Sequence, residues 1–178
     1  FPARCGGRTS SVVDISTAEG SFTDYKGLFL IGLLETRGQF EGPLVKDRTS
    51  INVALRRSWA DAILYPIFAI QNAKSNEDAT KKMNLYSFGD FNLKITHKLN
   101  EKNRIYANIY AGKDRLKSSE YEAYSGEKRF WMADDEWNMR WGNILTSLNW
   151  QNEISSKLNS RIIVYWSGSR RSEERRVG

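Results

Sequence analysis

The sequence predicts an all-β fold: a fragment of an antiparallel transmembrane β-barrel, with about seven strands that form an open curved sheet. Three observations predict it. Apolar residues recur at every second position along much of the chain, which is the period of a strand and not of a helix. The connections between these segments are short and long in turn. The chain has no run of about 18 apolar residues, the length that a membrane-spanning helix needs.

Composition narrows the class of protein further. The chain has 178 residues, of which 40% are hydrophobic and 12% aromatic, and a formal net charge of +6. This length allows one domain, and the aromatic content argues against intrinsic disorder. The single Cys cannot form an internal disulfide and the single His cannot build a His-rich zinc site, so we expect no cofactor. A net charge this small does not indicate a nucleic-acid-binding protein.

The seven predicted strands mostly have one apolar wall and one polar wall. In residues 50–59 the odd positions include Ile51, Val53 and Leu55, whereas the even positions are mostly polar. Residues 24–34 are almost wholly apolar and do not alternate, so composition alone predicts that strand. Each segment has roughly the nine to eleven residues that cross a membrane at a tilt. In chain order the predicted strands are 24–34, 35–44, 50–59, 88–99, 104–112, 143–154 and 160–168.

The connections differ in length and chemistry. Those at 45–49, 100–103 and 155–159 are short and carry Asn, Asp or Ser, which tolerate tight turns. Those at 60–87 and 114–138 are long and predicted as loops. Short turns on one rim and long loops on the other are typical of an outer-membrane barrel. Aromatic residues near the strand ends fit a belt at headgroup depth, namely Trp59, Tyr86, Phe88, Trp141 and Trp150.

The last ten residues change composition sharply. Residues 169–178 hold four Arg, two Glu and one apolar residue, and they supply +2 of the net charge. They resemble translated sequencing-adapter readthrough. We interpret them as a non-native tail and leave them out of the predicted fold.

Three segments carry a resemblance to a known family. Residues 1–15, FPARCGGRTSSVVDI, resemble the end of the plug domain of TonB-dependent outer-membrane receptors of the Bacteroidetes type, in which an aromatic residue usually stands at the position of Cys5. Residues 41–50, EGPLVKDRTS, are similar to the first periplasmic hairpin of that family's barrel. Trp141-Gly142-Asn143 and the strand after it look like a later barrel strand. The resemblance covers residues 1–168.

The resemblance implies an organisation and a function. Residues 1–23 would be the end of the plug and its linker, and 24–168 the N-terminal part of the barrel. The implied function is TonB-energised uptake of a scarce bulky solute, such as a siderophore, cobalamin or an oligosaccharide, across the bacterial outer membrane. Its partners would be the TonB energy-coupling complex, outer-membrane lipid and the solute, with no nucleic acid. Family barrels have about 22 strands around a plugged lumen, so seven strands are about a third of one.

Candidate site residues follow from the predicted faces. Arg4 and Arg8 of the plug segment could pair with barrel carboxylates such as Glu35 or Glu41. Three basic residues on polar walls should face the lumen or plug: Arg37, Arg56 and Lys94. Four aromatic residues of the second long loop could stack on a ligand, or could simply pack within that loop: Tyr121, Tyr124, Trp131 and Trp137.

No motif of an enzyme is present. The chain lacks a Gly-x-Ser-x-Gly elbow, a His-Glu-x-x-His helix and a phosphate-binding Gly loop, so we expect no catalytic activity. His97 lies in a predicted strand and Cys5 is predicted to be a small buried residue. The acidic run Asp134-Asp135-Glu136 could chelate a hard cation, but we interpret it as a solvated acidic loop segment and predict no metal site.

Two other classes of protein share parts of this pattern. A passive porin-like or adhesin barrel would have the same loop asymmetry but would lack the plug segment at residues 4–15. A soluble β-rich module that binds carbohydrate would pack its apolar strand faces on a second sheet. The burial of Leu93, Ile109 and Leu148 distinguishes the soluble module from a membrane sheet, because the module needs a covering layer over them.

Overall fold

The computed structural model describes residues 17–74, 81–126 and 129–177, with the side chains of 121–134 and 177 outside the description. Within these ranges seven antiparallel strands form one open curved sheet in chain order, which confirms the predicted all-β class and strand number. The elements are β1 Lys26–Ile31, β2 Glu35–Val45, β3 Thr49–Ser58, α1 Ala60–Lys74, β4 Lys81–Asn100, β5 Asn103–Gly126, β6 Arg129–Ser155 and β7 Leu158–Val177.

The turns at one end of the sheet are as short as the sequence predicts. They lie at residues 46–48, 101–102 and 156–157. Asp47 has φ of 60°, in the left-handed region that Asp tolerates better than most residues. The Asn100 side-chain oxygen accepts hydrogen bonds from the backbone N–H groups of Lys102 and Asn103 at 3.0 and 2.8 Å. These local bonds fix each hairpin register from the turn outward.

The first predicted long loop, 60–87, contains a helix instead. Helix α1 has Asp61 in its first turn and Lys74 in its last, charges that suit the helix dipole. Pro66 lies inside it, and a proline there argues against a helix at the sequence level. The Trp59 indole donates to the Gly32 carbonyl at 3.1 Å, which holds the helix start beside the β1–β2 connection. In the described part of the chain no helix could cross a membrane, and α1, with 15 residues, is too short to do so.

The prediction of a second long loop, at 114–138, is also wrong. Strand β5 runs to Gly126 and β6 starts at Arg129, so the two form one long hairpin arm. Tyr121, Tyr124 and Trp131, predicted in a ligand-binding loop, therefore lie on paired strands, and so does Trp137. The arm was not visible from the alternation because both of its walls mix polar, charged and aromatic residues. Backbone ladder bonds and the Lys117–Glu136 ion pair, 2.7 Å long, stabilise it.

The segment left out of the predicted fold is part of the sheet. Residues 169–177 continue β7 and pair with β6 from Ser169 opposite Asn143 to Val177 opposite Asp135. The predicted end of the last strand at residue 168 is therefore too early. An unpaired edge of β6 offers backbone donors and acceptors to any extended segment that follows in register.

The register sorts the side chains onto two faces. We call apolar face the side that carries Ile51 of β3 and Leu93 of β4, and polar face the side that carries Asn52 and Lys94. Cross-strand partners share a face, so the apolar residues of β2 to β7 align in rows. The apolar band is the part of the apolar face level with His97 to Phe91 of β4. Its rows include Ile51, Ile95, Ala107, Leu148 and Val164, and Phe40, Val53, Leu93, Ile109, Thr146 and Trp166.

Burial on the two faces is the reverse of that in a soluble domain. Apart from Pro43, no apolar side chain is buried among those that the structure describes. Ile109 and Leu148 of the apolar band are 39% and 54% exposed, and Leu93 is half-buried. The buried polar or charged side chains are Ser50, Asn52, Ser58, Thr96 and Asn149, and all five lie on the polar face. Within the described ranges, no second layer of this chain covers the apolar band.

Candidate functional site on the polar face

The chain's own N-terminal segment crosses the polar face. Lys94 donates from Nζ to the Thr17 carbonyl at 2.8 Å, and Asn52 donates from Nδ2 to the Ala18 carbonyl at 3.2 Å. The Lys98 ammonium lies 3.6 Å from the centroid of the Phe22 ring, a cation–π contact. Residues 17–22 thus pass over β4 and β3 towards the first short turn. The predicted linker, 18–23, lies against the face that was predicted to meet the plug.

Gly20 is the point of closest approach. A Cβ built on Gly20 would lie 2.2 Å from the carbonyl oxygen of Ile51, so no side chain fits there. The hydroxyls of Ser50 and Thr96, opposite each other on β3 and β4, are fully buried and have no hydrogen-bond partner among the described residues. Burial of unpaired hydroxyls costs free energy, which the bonds to Thr17 and Ala18 offset in part.

Replacement of Gly20 should lift this segment from the sheet. We expect Gly20→Val, with the native Cys5 changed to Ser, to raise the reactivity of a Ser50→Cys thiol towards a water-soluble maleimide by at least roughly tenfold, because the segment can no longer cover residue 50. Gly27→Val is the matched control, since a Cβ at Gly27 would meet only the Gln39 carbonyl oxygen at 3.8 Å. Equal labelling in both variants would contradict the close approach.

A charged cluster lies beside the segment on the same face. Arg56 donates to one carboxylate oxygen of Asp90 from Nε at 2.8 Å and also from Nη2, and Tyr110 donates to the other oxygen at 3.0 Å. Glu35 approaches Arg56 at 3.9 Å, and the guanidinium lies 4.7 Å from the centroid of the Phe88 ring. Asp90 is therefore the acceptor at the centre of the cluster. A carboxylate bonded on both oxygens holds its neighbours in fixed positions.

The aromatic residues beyond this cluster belong to the polar face too. Tyr86 stacks on Trp141 with centroids 6.2 Å apart and donates to Asp114 at 2.6 Å. That hydrogen bond, with burial and the carboxylate charge, raises the pKa of the Tyr86 phenol to about 12. The predicted aromatic belt is therefore wrong for Tyr86, Phe88 and Trp141, which share a face with Arg56. Trp150 does lie on the apolar face.

The structure brings some predicted site residues together and leaves others apart. Arg37, Arg56 and Lys94 share the polar face, with Arg37 directly opposite Arg56. Glu35 is near Arg56, and Glu41 lies on the same face without an ion pair to a described residue. Cys5 and the two plug arginines lie outside the described residues, so the pairing of Arg4 and Arg8 with Glu35 or Glu41 stays a prediction.

The predicted acidic and aromatic ligands of the hairpin arm are engaged or outside the description. Trp137 donates from its indole to Glu173 at 2.8 Å. Asp135 binds Arg175 and Glu136 binds Lys117, on opposite faces of the sheet. Within the described residues, no group of three His, Cys, Asp or Glu side chains could hold a metal ion. The side chains of Tyr121, Tyr124, Trp131 and Asp134 lie outside the description.

Between the N-terminal segment and strands β4 to β7 the polar face holds a cavity of about 520 Å³. Lys94, Tyr106, Asn108 and Arg161 supply hydrogen-bond donors to it, and Glu19 supplies an acceptor. Such a lining suits a polar surface, either a protein segment or a hydrophilic solute. Sequence reasoning found Lys94 from its place on a polar wall but missed Asp90 and Tyr110, whose pairing depends on register between distant segments.

Comparison with family models, curated proteins and solved structures gave no match for this chain.

Proposed function

We propose that this chain is part of a TonB-dependent outer-membrane receptor, an energised importer and not an enzyme. In this proposal the apolar band faces lipid, the polar face lines the lumen, and residues 17–23 connect a plug to the first strand. The observation that carries it is the reversed burial of the two faces: polar side chains are covered by the chain's own segment while apolar rows stay exposed across six strands. Only a non-aqueous surrounding makes such a face favourable.

The N-terminal segment favours a plugged barrel over a passive porin-like or adhesin barrel. Lys94 and Asn52 bind the backbone of residues 17 and 18, which holds the proposed linker against the polar face. A plug in that position would be remodelled by the TonB complex to admit a siderophore, cobalamin or an oligosaccharide. The polar donors of the cavity are compatible with each of these solutes. Finding a full plug sequence upstream in the parent gene separates a receptor from a porin.

Labelling of two adjacent residues tests the proposed lipid contact. Ile144 lies on the apolar face and Leu145 on the polar face, at 47% and 43% exposure. In a Cys5→Ser chain added to phosphatidylcholine vesicles, we expect Ile144→Cys to be shielded from a water-soluble maleimide and to react with a lipid-soluble one. Leu145→Cys should keep its reactivity with the water-soluble reagent. A soluble, monodisperse chain that ignores vesicles and labels equally at both positions would instead favour a soluble carbohydrate-binding module.

A further inference from the structure

The apolar face changes character abruptly beyond the apolar band. In the row next to Phe91, the register places Arg57, Gly89, Lys113 and Gly142 side by side across β3 to β6. One row further, Arg115 stands directly opposite Arg140. We call Arg57, Lys113, Arg115 and Arg140 the basic patch. All four side chains are exposed and point to the same side of the sheet as the apolar band.

The basic patch has no ion-pair partner among the described residues. None of its four residues forms an ion pair or a side-chain hydrogen bond with another described residue. The nearby carboxylate of Glu136 is engaged by Lys117 at 2.7 Å. Like charges directly opposite each other destabilise a sheet, so the Arg115–Arg140 pair is unfavourable in the isolated chain. An anion between the two guanidinium groups would remove this cost.

The shape of the surface joins the basic patch to the apolar band. A groove of about 920 Å³ runs from Phe91, Ile144 and Trp166 of the band to Lys113 and Arg140 of the patch. Gly89 and Gly142, which alternate with the cations in the row, leave its floor open. One end of the groove is therefore apolar and the other cationic. An amphiphile with a hydrocarbon tail and an anionic head matches both ends.

We propose that the basic patch binds the phosphate group of an anionic membrane lipid whose acyl chains lie on the apolar band. The proposal rests on the lipid-facing band of the proposed function and adds the headgroup that the receptor selects. Phosphate oxygens accept charge-assisted hydrogen bonds from Arg115 and Arg140, with Lys113 as a third cation at the edge of the groove. Charge complementarity and continuity with the apolar band identify a lipid phosphate as the occupant.

Vesicle flotation of the 178-residue chain tests the lipid site. We expect stronger partition into equimolar phosphatidylcholine–phosphatidylglycerol vesicles than into phosphatidylcholine alone. The triple variant Lys113→Gln, Arg115→Gln, Arg140→Gln should lose roughly a hundredfold of the partition into anionic vesicles, since each cation strengthens binding to an anionic surface several-fold. Its partition into neutral vesicles should stay unchanged. Because the variant removes a like-charge pair, it should fold at least as well as the parent.

A second triple variant separates position from total charge. Lys102→Gln, Arg104→Gln and Lys157→Gln remove the same charge from the short-turn end, where Lys102 and Lys157 lie in turns and Arg104 lies on the polar face. This variant should keep the preference for anionic vesicles. Equal losses in both variants, or a parent chain that binds both vesicle types equally, would overturn the lipid site while leaving the membrane face intact. Tight binding of inorganic phosphate without lipid preference would also overturn it, and failure to bind any vesicle would remove the proposed function as well.

Discussion

Leu148→Arg should destabilise the chain in a bilayer by about 2–4 kcal/mol, the cost of an arginine at the midplane of a lipid-facing strand. Leu148 lies on the apolar band between Ala107 and Val164 and is 54% exposed. The exposure of Leu148 in the isolated sheet makes the substitution informative. In water, replacing an exposed leucine by arginine changes the free energy of unfolding little. The expected loss therefore measures the surrounding medium, not packing within the chain.

Leu145→Arg is the matched control. Leu145 lies three residues away on the same strand, is 43% exposed, and sits on the polar face beside the cavity. We expect a change of less than about 0.5 kcal/mol for this variant. Urea unfolding of both variants in phosphatidylcholine vesicles gives the two free energies. If the two substitutions cost the same, the apolar face does not contact lipid and the proposed barrel is wrong.

The sheet could be predicted from sequence wherever one wall is apolar. Alternation is a local signal, so Ile51 to Leu55 and Phe91 to Ile95 define strands and faces without knowledge of their partners. The hairpin arm beyond Lys113 could not be predicted in this way. Both of its walls mix polar, charged and aromatic residues, and its order comes from ladder bonds with the opposite strand. Helix α1 was missed because Pro66 interrupts its pattern and none of its residues is buried.

The candidate site could be predicted only as separate residues. Alternation places Arg56 and Lys94 on polar walls, which the structure bears out as one face of the sheet. It does not place Asp90 beside Arg56, because 34 residues and a helix separate them in the chain. The close approach of Gly20 to Ile51 is likewise a property of the assembled sheet. Contacts between distant segments require the register of β3 on β4, and no short turn joins these two strands.

Asp90→Leu should have the largest effect on the polar face, about 2 kcal/mol of unfolding free energy in detergent micelles. The substitution removes both hydrogen bonds from Arg56 and the one from Tyr110, and hydrogen bonds to charged groups are worth roughly 1.5–3 kcal/mol. It also leaves Arg56 opposite Arg37 with Glu35, 3.9 Å away, as its one ion-pair partner among the described residues. Asp114→Leu is the control: it loses a single bond, from the exposed Tyr86 hydroxyl, which water can replace, and should cost about 1 kcal/mol.

A double-mutant cycle with Arg56→Met shows whether the ion pair causes this effect. Arg56→Met alone leaves Asp90 with the Tyr110 hydroxyl as its remaining side-chain donor among the described residues. Once Asp90 is already leucine, loss of Arg56 removes a poorly compensated cation next to Arg37 and should cost little or be favourable. We therefore expect the double variant to be more stable than the sum of the single losses predicts, by about 1 kcal/mol or more. Strict additivity would mean that Asp90 acts through packing, and the cluster would then not hold the polar face in place.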